Sequence, residues 1–358
     1  MRVLVAPDKF AGTLTAVEAA EAIAEGWLRQ APGDELDLAP MADGGPGFVD
    51  VLHQALGGEL IAADVRGPYG ERVPAAILQV GRTAYVEAAQ ACGLHLTSPA
   101  ERDPERATTY GVGELVRIAI EDGAGTVVVG LGGTGTNDGG AGFLAALGAA
   151  ADAPLDQGPR GLATLTQATL PEIDARLVAA TDVDNPLLGL IGATNVYSAQ
   201  KGLPEERRQA VDALLERLAD ATDKRLALAK GAGAAGGLGF GLLLLGAERR
   251  PGTEVVAEAV GLAERARAAD LVVTGEGAFD FSSRSGKVPY GVAEVAAAAV
   301  RPCIALAGRV LVGSREMRAL GIESAYAVSD LVGEERSLAE PGVSLATLAE
   351  RVARTWSR

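Results

Sequence analysis

The chain has 358 residues, enough for two domains with well-buried cores. Its formal net charge of −15 excludes a general nucleic-acid-binding face, but leaves nucleotide binding open because local loops and Mg²⁺ can manage phosphate charge. Cys92, Cys303, His53 and His95 are too few and too scattered for a disulfide framework, a zinc site or a histidine-centred triad, so proton transfer is expected to fall to a carboxylate, in a reducing cytoplasm.

The N-terminal MRVLVAPD reads as a strand over Val3–Ala6 and not as a signal peptide, since it lacks a long apolar region. Asp8 and Lys9 follow at its carboxyl end, where open α/β sheets gather their ligands; they are either ligand groups or a polar strand end. Thr15 and Glu18 have capping-box spacing ahead of a helix over Ala16–Gln30. A strand over Glu35–Ala39 runs into a glycine turn holding Asp43, either a site residue or the N-cap of a helix over Phe48–Leu56. Strands over Leu60–Val65 and Ala75–Val80 flank the turn Gly67–Gly70, and this hairpin-like piece interrupts the βα rhythm, so a domain boundary is expected near it. Ala84–Ala89 reads as a strand carrying Glu87, and Thr97–Arg106 as a polar loop. Thr108 and Thr109 precede a helix over Val112–Glu121, as caps that can also reach the next loop.

Thr126–Val129 is an unbroken β-favouring run, as in a buried parallel strand. It opens into a loop holding Gly130, Gly132, Gly133, Gly135, Gly139, Gly140 and Gly142, with a helix expected over Phe143–Ala150. These glycines either only supply positive φ in a tight turn or, seven together with polar residues between them, form a ligand-facing loop; strand, loop and helix start then aim amides at an anion, most commonly phosphate. Thr134, Thr136, Asn137 and Asp138 add hydroxyl, amide and carboxylate groups. No Gly-Lys-Ser or Gly-Lys-Thr closes a Walker loop, and the embedded G-x-G-x-x-G is a weak dinucleotide signal by itself. After a strand over Leu177–Ala180, Asp182 and Asp184 stand two apart. They are either a carboxylate pair for Mg²⁺ or an Asp-Asn-Pro turn.

Lys201 precedes a charged helix over Pro204–Leu218. Gly231–Gly241 suggests close helix packing, and the apolar run Leu238–Gly246 is too short to span a membrane. An amphipathic helix over Glu254–Ala268 and a strand over Ala269–Val273 lead to Glu276, Asp280, Ser282, Ser283, Ser285, Gly286 and Lys287. A helix over Tyr290–Val300, strands over Cys303–Ala307 and Ala325–Val328, and a helix over Ser344–Trp356 complete an α/β chain.

Acidic, glycine-bearing loops after many strands suit phosphoryl transfer, which needs positioning and charge stabilisation more than a strong nucleophile. The blocks APDKFAGTLTA (Ala6–Ala16), PMADGGPG (Pro40–Gly47), TTYGVGEL (Thr108–Leu115), GGTGTNDGGAGF (Gly132–Phe143), TDVDNPLLG (Thr181–Gly189), AQKG (Ala199–Gly202), GAGAAGGLG (Gly231–Gly239) and DLVVTGEGAFD…SGKVPYGVA (Asp270–Ala293) together resemble the bacterial glycerate kinase family, in the expected order over nearly the whole chain. The resemblance implies ATP-dependent phosphorylation of (R)-glycerate at its 2-hydroxyl, giving 2-phosphoglycerate. It implies a small-molecule substrate, no nucleic acid or membrane partner, and a monomer or homodimer. It also implies a two-domain glycerate-kinase-like fold: a Rossmann-like parallel-sheet domain from residues 1–66 and 260–358, an α/β domain inserted over 67–259, and an active site in the cleft.

On that resemblance Gly132, Gly133, Thr134 and Asn137 cradle the nucleotide phosphates, with Asp138 and Glu276 as further nucleotide contacts. Asp182 or Asp184 holds Mg²⁺. Asp43 or Asp8 is the base at the glycerate hydroxyl, and Lys287, Lys201 or Lys9 neutralises phosphate or the substrate carboxylate. The family's first block often has a lysine where this chain has Ala11, so its role passes to Lys9 or another cation. Pro46 stands where the family often shows Glu, so no role is assigned there. The alternatives are a kinase giving 3-phosphoglycerate or using another small hydroxy acid, a non-catalytic nucleotide or sugar-acid sensor, and a Rossmann-type dehydrogenase. The last is disfavoured because Asp152 and Asp156, in the region where its ribose acid is needed, fall in a loop.

Overall fold

A computed structural model describes residues 1–10, 12–280 and 287–357. Ala11, Ser282, Ser283, Ser285 and Gly286 lie outside the described residues. The strands are β1 Arg2–Pro7, β2 Glu35–Leu38, β3 Glu59–Arg66, β4 Arg72–Val80, β5 Thr83–Glu87, β6 Thr126–Gly130, β7 Ala150–Ala151, β8 Ala168–Thr169, β9 Arg176–Ala180, β10 Glu248–Arg250, β11 Leu271–Phe279, β12 Cys303–Val310 and β13 Ser324–Ala327. The fold is α/β, and the chain divides into two compact units: Met1–Asp43 with Asp50–Leu56 and Thr253–Arg358, and Gly44–Val49 with Gly57–Gly252.

The first unit holds a five-stranded parallel sheet, ordered β13-β12-β11-β1-β2. Val3, Val5, Val273, Ile304 and Leu306 pack one sheet face against Ile23 and Trp27 of the helix Ala16–Gln30 and Leu345, Ala349 and Val352 of the helix Pro341–Trp356. Those helices meet at Gly26, where a Cβ would lie 1.9 Å from the Ala346 carbonyl oxygen. From the β1–β11 pair the chain winds outward both ways, to β2 on one side and to β12 and β13 on the other. That pair is the topological switch point, beyond whose carboxyl end a ligand crevice is expected.

The second unit holds a six-stranded sheet, ordered β10-β9-β6-β5-β4-β3. Strands β5, β6, β9 and β10 are parallel, and β3, β4 and β5 form an antiparallel meander. Val127 and Val129 of β6 are fully buried, among Val112, Leu115, Val116 and Phe143 from flanking helices. Strands β7 and β8 pair separately. No helix among the described residues is long and apolar enough to cross a membrane.

Several elements differ from the sequence expectations. The expected strand over Ala84–Ala89 stops at Glu87 and becomes a short helix, Ala88–Cys92. The helix expected over Phe143–Ala150 is Ala141–Ala146, ended ahead of Gly148 at φ 101°. The helix expected over Glu254–Ala268 is two, Gly252–Ala259 and Leu262–Ala268, broken by Gly261 at φ 64°, a conformation that glycine adopts without a Cβ penalty. The Thr15–Glu18 capping box forms as expected.

Candidate active site

In the first unit, a cavity of about 400 Å³ lies beyond the carboxyl ends of β1, β11, β12 and β13. Asp8 follows β1 directly, and its amide extends the ladder to the Gly275 carbonyl at 2.8 Å. Its carboxylate is only 7% exposed and accepts from the Lys9 amide at 2.8 Å and the Lys9 ammonium at 3.4 Å. The same ammonium donates to Asp43 at 3.3 Å. On the neighbouring strand, Glu276 is buried, with the Lys287 ammonium 3.8 Å from its carboxylate and 3.9 Å from Asp280. The structure thus brings together Asp8, Lys9, Asp43, Glu276 and Lys287 around one cavity.

The electrostatics follow from burial. Removal from water pushes the Asp8 carboxyl up, the Lys9 charge pulls it back, and Asp43 and Glu276 push it up again, leaving it at about 7. Burial works against the Lys9 charge, but Asp8 and Asp43 outweigh it and hold the ammonium above its ordinary value. The cavity therefore carries a carboxylate that exchanges its proton near neutrality beside a cation that stays charged.

In the second unit, the loop after β6 is held from three sides. Leu94 donates to the Gly133 carbonyl at 2.9 Å and Gly135 to the Cys92 carbonyl at 2.8 Å. Gly139 donates to Gly236, and the Lys201 ammonium donates to the Thr136 carbonyl at 2.6 Å. Gly236 has φ 68°, and a Cβ there would lie 1.9 Å from the Thr136 oxygen, so only glycine permits this approach. Gly132, Gly133, Thr134 and Lys201 line a small pocket of about 120 Å³.

Asn137 and Asp138 lie behind that pocket, with no exposure. Asn137 donates to Thr194 Oγ1 at 3.0 Å. The Asp138 carboxylate accepts from the Thr109 amide and hydroxyl and from the Gly140 and Gly142 amides, between 2.8 and 3.2 Å. Thr109 also accepts from the Phe143 amide at 2.9 Å, so this threonine does reach the loop. The amides opening the helix Ala141–Ala146 are thus taken within the protein: Ala141 by the Asp138 carbonyl, Gly142 by the Asp138 carboxylate and Phe143 by the Thr109 hydroxyl.

At the start of the helix Phe48–Leu56, the Gly47 and Val49 amides donate to Glu87 Oε2 at 3.0 and 3.4 Å, and the Phe48 amide donates to the Gly45 carbonyl at 3.1 Å. Asp182, half-buried, follows β9, whereas exposed Asp184 is ion-paired to Lys230 at 3.2 Å and to Arg249. Sequence reasoning missed Phe10, Leu338 and Leu345 in the first unit's cavity wall, since only their apolar character was visible. Arg309, which also lines it, had a signal in its position near the end of β12.

Two α/β units, one with acids and lysines gathered at a sheet switch point and the other with a braced glycine loop, define the scaffold of a small-molecule enzyme. A model of the glycerate kinase family matches residues 3–357. The chain is 37% identical to the glycerate kinase of Haemophilus influenzae, over 99% of this chain and 98% of that protein. It is 39% identical to the glycerate 2-kinase of Escherichia coli K12, over 93% and 92%. A crystal structure of a Salmonella typhimurium LT2 protein superposes with a TM-score of 0.81 at 36% identity, covering 99% of this chain and 98% of that one. The chain belongs to the glycerate kinase family, and it is a kinase of that type.

Proposed function

We propose that the enzyme transfers the γ-phosphoryl group of ATP to the 2-hydroxyl of (R)-glycerate, giving 2-phosphoglycerate and ADP. The observation that carries this reading is Asp8, a buried carboxylate poised near pH 7 at the sheet switch point. Glycerate is assigned to the first unit's cavity. Asp8 takes the hydroxyl proton as the alcohol oxygen bonds to the γ-phosphorus and the bond from that phosphorus to the bridging oxygen of ADP breaks. Lys9 holds Asp8 and Asp43 in place, and Lys287 offers a cation to the substrate carboxylate or the transferring phosphoryl group. The E. coli relative named a 2-kinase supports the 2-hydroxyl as acceptor.

The nucleotide phosphates are assigned to Gly132, Gly133 and Thr134. A Cβ at Gly133 would lie 2.7 Å from Pro46, so the loop backbone is bare and closely packed there, as a phosphate-binding loop requires. Asp138, fully engaged within the protein, is assigned to shaping that loop. Mg²⁺ bound with the nucleotide supplies charge neutralisation at phosphate oxygens. Asp182, half-buried just beyond the end of β9, is the carboxylate assigned to it. Two buried free thiols, Cys92 and Cys303, fit a cytoplasmic setting.

The test is ADP release over a panel of small hydroxy acids, with phosphorus NMR of the product. ATP-dependent turnover of (R)-glycerate to 2-phosphoglycerate is expected. Turnover of another acid in its place, 3-phosphoglycerate as product, or nucleotide binding without turnover would each overturn the proposal.

A further inference from the structure

Lys201 is a lysine in an unusual place. It ends the 3₁₀ turn Ala199–Lys201 and is only 3% exposed. Its ammonium donates to the Thr136 carbonyl, and no carboxylate among the described residues lies within ion-pairing distance of it. Burying an ammonium without a counterion is costly, and a single neutral carbonyl recovers little of that cost. The same side chain lines the 120 Å³ pocket with Gly132, Gly133 and Thr134. That volume leaves room for a phosphoryl group.

We propose that the Lys201 ammonium binds the phosphate oxygens of the nucleotide in this pocket, the missing counterion being the ligand itself. The inference rests on the assignment of nucleotide phosphates to the Gly132–Thr134 loop and adds the cation that holds them. It separates Lys201 from Lys9 and Lys287, which serve the other unit's cavity. Ala235 and Gly236 wall the pocket in left-handed conformations, so the space is built by a backbone that the chain adopts at a cost.

One consequence is measurable without a variant. Burial lowers the Lys201 ammonium to about 8, with Cys92 and Asp138 partly offsetting it. The titratable groups facing it are Cys92, Asp138 and Tyr197, and burial raises all three. A ligand that needs the charged lysine then weakens as pH rises past that value.

The experiment measures binding of ADP, with uncharged adenosine as control, to the full chain between pH 7.5 and 9.5. Wild-type affinity for ADP is expected to fall by about twentyfold over that range while adenosine stays level. Lys201→Met, close in volume, is expected to weaken ADP at least about tenfold at the lower pH and to leave adenosine unchanged. Lys201→Arg is expected to bind ADP with no loss on going alkaline. If Lys201→Met does not fold, the wild-type and Lys201→Arg profiles decide. Unchanged ADP affinity in Lys201→Met, equal loss of ADP and adenosine, or a raised KM for glycerate alone would overturn the proposal. A wild-type protein that binds no ADP at any pH would sink the ATP reading itself, and this inference with it.

Discussion

Burying a carboxylate beside a lysine and two further acids gives Asp8 a proton affinity near neutrality, and that sets the expected pH profile. In its proposed role as base, Asp8 works only when ionised. The kcat/KM for glycerate is therefore expected to fall about tenfold per pH unit below about 7, and a flat profile down to pH 5 would contradict the assignment. Lys9 pulls the Asp8 proton affinity down, so Lys9→Met is expected to move that acid limb to higher pH, by about one unit. The stability sign is opposite to the usual carboxylate case. The native state holds the Asp8 proton up to about 7 while an unfolded chain loses it near 3.8, so this group's contribution to stability declines as pH rises through that window. The sequence made Asp8, Lys9 and Asp43 visible as polar residues after strands. It could not show that one lysine bridges both acids, because that depends on where the chain after β2 returns.

At the scale of elements, the loop after β6 depends on contacts from distant segments. Asp138→Ala would strand the Thr109, Gly140 and Gly142 amides in the interior, and is expected to cost about 3 kcal/mol in chemical denaturation. Gly236→Ala would push a Cβ into the Thr136 carbonyl at a left-handed position. It is expected to lower stability by about 2 kcal/mol or more and to weaken ADP binding as the loop shifts. Strand and loop were legible in the unbroken valines and the glycine density. The hidden part was the partner from outside the loop: Asp138 takes the Gly140 and Gly142 amides from two and four residues away, but the Phe143 amide goes to Thr109, 34 residues earlier, and spacing carries no trace of that. The break at Gly261 was legible as a glycine, yet helical periodicity continued across it and outweighed the signal.

At the scale of the whole molecule, the first unit draws on both ends of the chain. Strands β1 and β2 lie beside β11, and the helix Pro341–Trp356 covers the helix Ala16–Gln30. Ending the chain after Glu340 would uncover Ile23 and Trp27, so that truncation is expected to abolish the near-ultraviolet dichroism of Trp27. The parallel α/β class was readable from the alternation of strands and helices, and the family resemblance from eight ordered blocks. With Asp8 as the group that takes the proton in phosphoryl transfer, Asp8→Asn removes the base at nearly constant size, and glycerate turnover and ADP affinity are measured on the same preparation. Turnover is expected to fall about a hundredfold or more with ADP affinity unchanged; turnover within about twofold of the wild type would rule Asp8 out as the base.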